Sequence, residues 1–339
     1  MKGIVCREVG RFEATDTLPE PEAKEGHAIV GVKRIGICGT DYHAFRGNQP
    51  FFEYPRILGH ELAGVVEEVG DNESGLRAGD RVSVIPYLHC GTCVACRAGK
   101  TNCCTDMKVL GVHVDGGMRE RISVPVTHLI RANGLTLDQA AILEPLAIGA
   151  HAVRRSELAA GETALVIGGG PIGLGVAALA KRRGAKVIAM DLDPGRLEFC
   201  RDWAGADELV LPSGDDALRR IAEAAGGELP TVVFDATGSA RSMTDSFQYA
   251  AHGGKLVFVG LVKADIAFSD PEFHKRELTL MGSRNATRED FDDVMEAVAA
   301  GAIDADGYIN RRAPFGEATR AFEEWLKPES KVIKAMVEL

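Results

Sequence analysis

The run TALVIGGGPIGLG, Thr163 to Gly175, constrains the fold more than any other stretch. Gly168, Gly170 and Gly173 fall in G-x-G-x-x-G spacing between an apolar strand and an Ala-rich helix. A second strand, KVIAMD, follows and closes on Asp191. That context predicts a dinucleotide-binding βαβ unit. The first glycine permits a tight turn, the second lets backbone approach a pyrophosphate, and the third lets helix and strand pack closely. The helix N-terminus favours the negative charge. Gly168, Gly170, Pro171, Ile172, Gly173 and Asp191 are therefore the first candidate cofactor residues. A carboxylate at 191 accepts ribose hydroxyls and repels a 2′-phosphate, which favours NAD over NADP. Arg196 stands close enough to complicate that choice.

Strand and helix patterns keep alternating after Glu162. TVVFDAT, GGKLVFVGL and ELTLMGS are each apolar enough for a strand buried on both faces. The expected fold is α/β, with a doubly wound parallel sheet here. Before it, HAIVGVKRIGIC, ELAGVVEEVG, DRVSVIPYL and ERISVPV mix β-branched residues with Gly, Asp and Pro, the texture of an irregular β-rich domain. LDQAAILEPLAIGAHAVRR is Ala- and Leu-rich and reads as helical. After Arg284 come two amphipathic helices and a closing strand, KVIKAMVEL, expected to rejoin the first region. The predicted division is 1–152 with 285–339 for the β-rich domain and 153–284 for the dinucleotide domain.

Five of eight cysteines lie between Cys90 and Cys104. Cys90, Cys93 and Cys96 follow C-x2-C-x2-C, and a fourth thiolate from Cys103 or Cys104 completes a set suited to one tetrahedral zinc. Spacing does not choose between the two neighbours. Such a closed site stabilises a loop and leaves no position for chemistry.

A second metal site needs a different donor set. Cys38 sits in a Gly-bracketed turn, His60 and Glu61 open a strand, and Glu144 precedes Pro145 at a predicted helix start. Cys, His and carboxylate all suit zinc, and three protein ligands leave a position for water or substrate. An isolated His or Cys is more often packed in a core; the surrounding turns raise the metal reading. Thr40 and His43, just behind Cys38, pair a hydroxyl with an imidazole able to pass a proton to solvent.

These motifs, in this order, resemble the zinc-dependent medium-chain dehydrogenases over essentially the whole chain. The resemblance implies a GroES-like β-rich catalytic domain, a Rossmann domain, two zincs per chain (one catalytic, one structural) and NAD. The cysteine loop resembles C-G-x-C-x-x-C-x-x-G-x-x-N-x-C with Gly99 and Asn102 in place, which implies Cys104 as fourth ligand and Cys103 as its spare neighbour. It implies Cys38, His60 and Glu144 as catalytic ligands, with Glu61 able to approach the metal. Thr40 and His43 match the family's proton relay. Thr237 in FDATG, Val259 and Leu261 in VFVGL, and Arg284 and Asn285 in GSRNA match cofactor-contacting positions. Glutamate at 144 resembles the polyol and threonine dehydrogenase branch. GNQPFFEYPRILGHE, KTNCC, LGVHVDGG, FSDPEFHKRE and GSRNATREDF resemble its sugar-acid members, implying oxidation of L-galactonate, or next L-gulonate, at C5. Polyol or L-threonine oxidation is the alternative, and an NAD-sensing regulator the non-enzymatic one. Arg284, then Arg46 and Arg119, are the cations considered for a substrate carboxylate.

A net charge of −10 with no basic block argues against nucleic acid or an anionic membrane as partner. The N-terminal MKGIVCREVG lacks a signal-peptide core, and no apolar run reaches membrane length, so a cytoplasmic enzyme is expected. The resemblance further implies a homodimer or homotetramer.

Overall fold

The computed structural model describes residues 1–49, 52–212 and 216–339. Pro50 and Phe51, inside one of the stretches compared with sugar-acid dehydrogenases, lie outside the described residues. The chain forms two compact units, Met1–Glu144 with Met295–Leu339, and Pro145–Val294. Their boundaries differ from the expected 152/153 and 284/285: the helix Leu143–Ser156 and the helix Arg288–Ala299 each run through a boundary, so strand–helix texture could not locate it.

In the first unit the long strand His27–Ile37 is the organising element. It pairs antiparallel with Glu61–Val69, with Arg121–Pro125 and with the closing strand Ala335–Glu338. The chain's tail therefore does rejoin the first region. The seven-stranded sheet is completed by Arg311–Pro314, Arg81–Val84 and Leu129–Arg131. Ile35, Leu62, Val82, Val84 and Val124 fill its core. Ile37 hands the chain directly to Cys38, and the paired strand begins at Glu61 directly after His60. Register matches Gly36 with Glu61. A Cβ on Gly36 would lie 2.1 Å from Glu61 Oε2, so glycine there makes room for a buried carboxylate.

The second unit carries a six-stranded parallel sheet. Its order is Glu208–Val210, Lys186–Met190, Thr163–Ile167, Val232–Asp235, Lys255–Phe258 and Thr279–Gly282. This is the doubly wound order in which dinucleotides bind at the carboxyl ends of the strands. Leu165, Ile188, Val233 and Leu256 are fully buried. Thr279–Gly282 differs from expectation: Thr279, Leu280 and Gly282 are exposed. As the terminal strand it pairs on one side only, and hydrophobicity alone does not report position within a sheet.

A buried network ties two helices of this unit. Asp290 accepts from His151 Nδ1 at 2.9 Å, from Arg154 Nε at 2.7 Å and from the Thr287 amide at 2.8 Å. Burial pushes the Asp290 carboxyl up, but these donors outweigh it and hold it well below the usual carboxylate range. A depressed folded-state value contributes stability above the unfolded value, and that contribution is lost as pH falls. Asp290→Ala should therefore destabilise the protein by roughly 3 kcal/mol at neutral pH. The gap to the unaltered protein should narrow steadily below about pH 4. Denaturant unfolding at a series of pH values measures both; a gap unchanged by acid would locate the effect elsewhere.

Candidate active site

Cys38 is the N-cap of the short helix Gly39–Phe45, in extended conformation at φ −94 and ψ 158. Its amide donates to Asp41 Oδ2 at 2.9 Å, and the amide of Gly59 donates to Asp41 Oδ1 at 3.2 Å. One buried carboxylate thus locks together the two loops that present Cys38 and His60. Donor atoms of Cys38, His60 and Glu61 lie within 4.8 Å of one another. Glu144, in the first turn of Leu143–Ser156, is buried and accepts from the Tyr87 hydroxyl through Oε1. Glu61 is fully buried and held by Lys334 Nζ, at 2.5 Å through Oε1 and 2.7 Å through Oε2.

The electrostatics follow from burying so many ionisable groups. Burial pushes the Glu144 carboxyl up to about 7, with His60 opposing the rise and Glu61 adding to it. Burial also raises Asp41, against a lowering by His60. For His60, burial acts downward, yet Asp41, Cys38 and Glu144 outweigh it and hold the imidazole well above its ordinary value. Among the buried polar atoms without a hydrogen-bond partner are His60 Nδ1 and Glu144 Oε2. Orphaned buried polar atoms are costly unless something binds them. Imidazole nitrogen, carboxylate oxygen and thiolate are the donor types zinc takes, so the pocket fits that ion.

A second sulfur-rich cluster lies in the same unit. Ligand atoms of Cys90, Cys93, Cys96 and Cys104 sit within 4.8 Å of one another, and Cys103 is exposed beside them. The Cys104 sulfur accepts from the Cys90 amide at 3.3 Å and the Asp106 amide at 3.4 Å. The Cys96 and Thr105 amides pull the Cys93 thiol down to about 5. Amides converging on thiolates stabilise the ionised form that a metal requires. All four thiols are free of disulfides, and the set fits one zinc.

The glycine loop has the geometry its spacing implied. Gly168 adopts φ +99, open to glycine at little cost. A Cβ on Gly173 would lie 1.7 Å from the Gly168 carbonyl oxygen. Gly170 is the N-cap of the helix Pro171–Arg182, with Pro171 and Ile172 opening it. Asp191 accepts from the Gly169 amide at 2.6 Å and from the Asp193 amide at 2.8 Å, fixing its carboxylate against the loop. Arg196 NH1 stands 4.0 Å from it, on a half-exposed side chain. Thr237 is tied by amide and hydroxyl to the fully buried Asp235. Val259 is half-buried, donating its amide to the Asp235 carbonyl at 2.9 Å, and Leu261 is exposed. Arg284 is exposed, and Asn285 has φ +53.

Thr40 and His43 sit on Gly39–Phe45 three residues apart, hence on one face, Thr40 half-buried and His43 exposed. The other two arginines considered for substrate bind backbone carbonyls. Arg46 donates to the Leu326 carbonyl at 3.0 Å, and Arg119 to the carbonyls of Gly116 and Asp115. Sequence reasoning missed Asp41, Tyr87, Lys334 and Asp235. Only Asp41 carried a signal, an acid in the first turn of a helix capped by a candidate ligand.

A largely buried cluster of Cys, His and carboxylate, a four-cysteine loop and a dinucleotide-binding sheet define a zinc-binding dehydrogenase. Residues 171–300 match the Zinc-binding dehydrogenase family and residues 24–134 the Alcohol dehydrogenase GroES-like domain. The chain belongs to this zinc-type medium-chain alcohol dehydrogenase family and is an oxidoreductase. It is 47% identical to the L-galactonate-5-dehydrogenase of Escherichia coli K12, over 94% of this chain and 93% of that protein. The RspB alcohol dehydrogenase of Escherichia coli CFT073, solved with NADH, superimposes with TM-score 0.92 at 30% identity, covering 100% of this chain and 99% of that one. A zinc-binding dehydrogenase of Sinorhizobium meliloti 1021, solved with NADP, does so with TM-score 0.91 at 31% identity, covering 100% and 99%. Among the described residues no helix is long and apolar enough to cross a membrane.

The two cysteine sets should separate under mutation. Cys93→Ser should lower the melting temperature by ~5 °C or more, because metal binding in a closed site is folding energy. Cys38→Ser should leave melting nearly unchanged while kcat/KM falls at least ~100-fold, through loss of Lewis-acid stabilisation. Thermal scans and steady-state kinetics on both variants decide; equal loss of stability in the two would erase the distinction.

Proposed function

We propose that the protein oxidises a secondary hydroxyl of a six-carbon sugar acid, L-galactonate first and L-gulonate next, at C5, giving the 5-keto acid with NAD as hydride acceptor. The observation that carries the substrate is the 47% identity, over nearly the whole chain, to an L-galactonate-5-dehydrogenase. The reaction class rests on the pocket of Cys38, His60, Glu61 and Glu144. In this reading Cys38, His60 and the unpartnered Glu144 Oε2 hold a zinc, and Cys90, Cys93, Cys96 and Cys104 hold a second. When bound, the pocket zinc supplies Lewis-acid polarisation of the substrate hydroxyl, and NAD supplies the acceptor for the carbinol hydride.

The chain's own residues do the rest. Asp41 holds the Cys38 and Gly59 amides and so fixes the spacing of two donors. The Tyr87 hydroxyl takes one Glu144 oxygen and orients the other. The Thr40 hydroxyl accepts the substrate's hydroxyl proton as it passes its own onward, and His43, one helical turn on and exposed, delivers a proton to solvent. The glycine loop receives the pyrophosphate, and Asp191 favours a ribose bearing free hydroxyls. Arg284 is the guanidinium we assign to the substrate carboxylate, since it follows the last strand of the parallel sheet, Thr279–Gly282, and offers planar, bidentate geometry.

The test is a panel of hexonates and hexitols assayed for NADH formation, repeated with NADP. L-Galactonate should have the highest kcat/KM, and NADP should serve less well than NAD. Arg284→Gln should cut hexonate turnover roughly 10- to 150-fold in kcat/KM, the value of ~1.5–3 kcal/mol for a charge-assisted hydrogen bond, and leave hexitols untouched. A hexitol oxidised as efficiently as the best hexonate would overturn the sugar-acid assignment and favour a polyol dehydrogenase.

A further inference from the structure

The central strands of the parallel sheet end along one line. Register pairs Ile167 with Met190 on one side and with Asp235 on the other, and Asp235 in turn with Phe258. Asp191, Gly168, Ala236 and Val259 are therefore the first residues past four neighbouring strands. A dinucleotide lies across such strand ends. Asp191 marks the adenosine ribose and the glycine loop the pyrophosphate, so the nicotinamide half falls to the turns 236–239 and 259–261. One residue joins those two turns. Asp235 is 0% exposed. Its Oδ1 accepts from the Thr237 amide at 2.9 Å and the Thr237 hydroxyl at 2.6 Å, and its Oδ2 from the Ser242 hydroxyl at 2.5 Å, on the helix Ala240–Asp245. The Asp235 backbone carbonyl accepts from the amides of Val259 at 2.9 Å and Gly260 at 3.0 Å. The turns meet through glycines: a Cβ on Gly260 would lie 2.5 Å from the Gly238 nitrogen, and one on Gly238 would lie 3.1 Å from the Leu261 carbonyl oxygen. The Thr237 hydroxyl is spent within its own turn, donating to Asp235 and accepting from the Ser239 amide at 3.1 Å. Its methyl carbon would stand 3.2 Å from a Cβ on Gly168, so the turn packs on the glycine loop.

We propose that Asp235 is a positioning residue for the nicotinamide half of the cofactor, its carboxylate fixing the turn 236–239 against the turn 259–261 and the glycine loop. The proposal rests on the NAD-linked reading of this sheet and not on the identity of the substrate. An acid that merely closed its own turn would use one oxygen. Here the second oxygen reaches the following helix, and the carbonyl of the same residue reaches the turn after the next strand. A buried carboxylate left without its donors is costly, so the turn holds the conformation in which all three bonds are made.

Asp235→Ala removes the acceptor of three donors and leaves the backbone carbonyl in place. By fluorescence titration the NADH dissociation constant should rise at least ~10-fold, the scale of one lost charge-assisted hydrogen bond. AMP, which carries the adenosine half alone, should bind by calorimetry within ~2-fold of the unaltered protein. A side chain that merely supported the fold would weaken both probes together or neither, and either result overturns the proposal. Asp235→Asn keeps one oxygen for Thr237 and turns an NH₂ toward Ser242 Oγ, so NADH binding should stay within ~3-fold of the unaltered protein. An Asn variant as weak as the Ala variant would assign the effect to charge rather than to position, and also overturns it. If the Ala variant does not fold, Ser242→Ala decides, since it frees one carboxylate oxygen from outside the two turns. NADH should then weaken at least ~3-fold with AMP unchanged; unchanged NADH binding removes the proposal. An unaltered protein that bound neither probe would sink the dinucleotide reading and this proposal with it. None of these readouts uses a sugar acid, so a failed hexonate panel would sink the substrate assignment and leave Asp235 standing.

Discussion

The Lys334–Glu61 ion pair is the interaction on which the rest of the pocket depends. Cys38, Asp41, Glu61 and Glu144 bring four groups that ionise to anions into one region, three of them nearly inaccessible to water. Burying like charges is expensive, and each must be met by a cation, a donor or a metal, or else take up a proton. Asp41 is met by two backbone amides and the His60 ring. Glu61 is met by Lys334, for which burial acts against the charged form while Glu61 and Cys38 more than restore it. Glu144 is met only in part, by one hydroxyl. The remaining deficit sits at Glu144 Oε2, His60 and Cys38, and the proposed zinc would satisfy it. The sheet serves this arrangement: pairing of His27–Ile37 with Glu61–Val69 and Ala335–Glu338 delivers Cys38, Glu61 and Lys334 to one place.

Much of this was legible in the sequence because some constraints are local. The G-x-G-x-x-G loop demands positive φ at Gly168 and contact without a side chain at Gly173, and both demands operate within a few residues. The four-cysteine loop is likewise a local wrap, with every ligand between Cys90 and Cys104. Cys38 and His60 stood out because each lies in a turn flanking a strong strand pattern. The alternation of strands and helices after Glu162 gave the parallel sheet directly, since parallel pairing requires crossover connections.

What stayed hidden was long-range. Lys334 contacts Glu61 across 273 residues, and Tyr87 contacts Glu144 across 57. A lysine in KVIKAMVEL reads as a solvated strand-end charge until the closing strand is placed against His27–Ile37. Asp290, joining His151 and Arg154 across 139 and 136 residues, is hidden for the same reason. The exposure of Leu280 was misread because an apolar strand carries no mark of whether it lies inside a sheet or at its end. Partner choice among buried charges is a property of topology, and short-range pattern does not encode it.

The central claim is that one unit of this chain holds two chemically distinct zinc sites, one closed by sulfur and one left open for reaction. X-ray absorption at the zinc edge of the purified protein, combined with metal content, tests it most directly. The account predicts two zincs per chain and a mean first shell of about 2.5 sulfurs per zinc near ~2.3 Å, the average of a four-sulfur site and a one-sulfur site, with nitrogen and oxygen near ~2.0–2.2 Å supplying the remainder. A single zinc surrounded by four sulfurs alone would contradict it, because the pocket of Cys38, His60, Glu61 and Glu144 would then hold no metal.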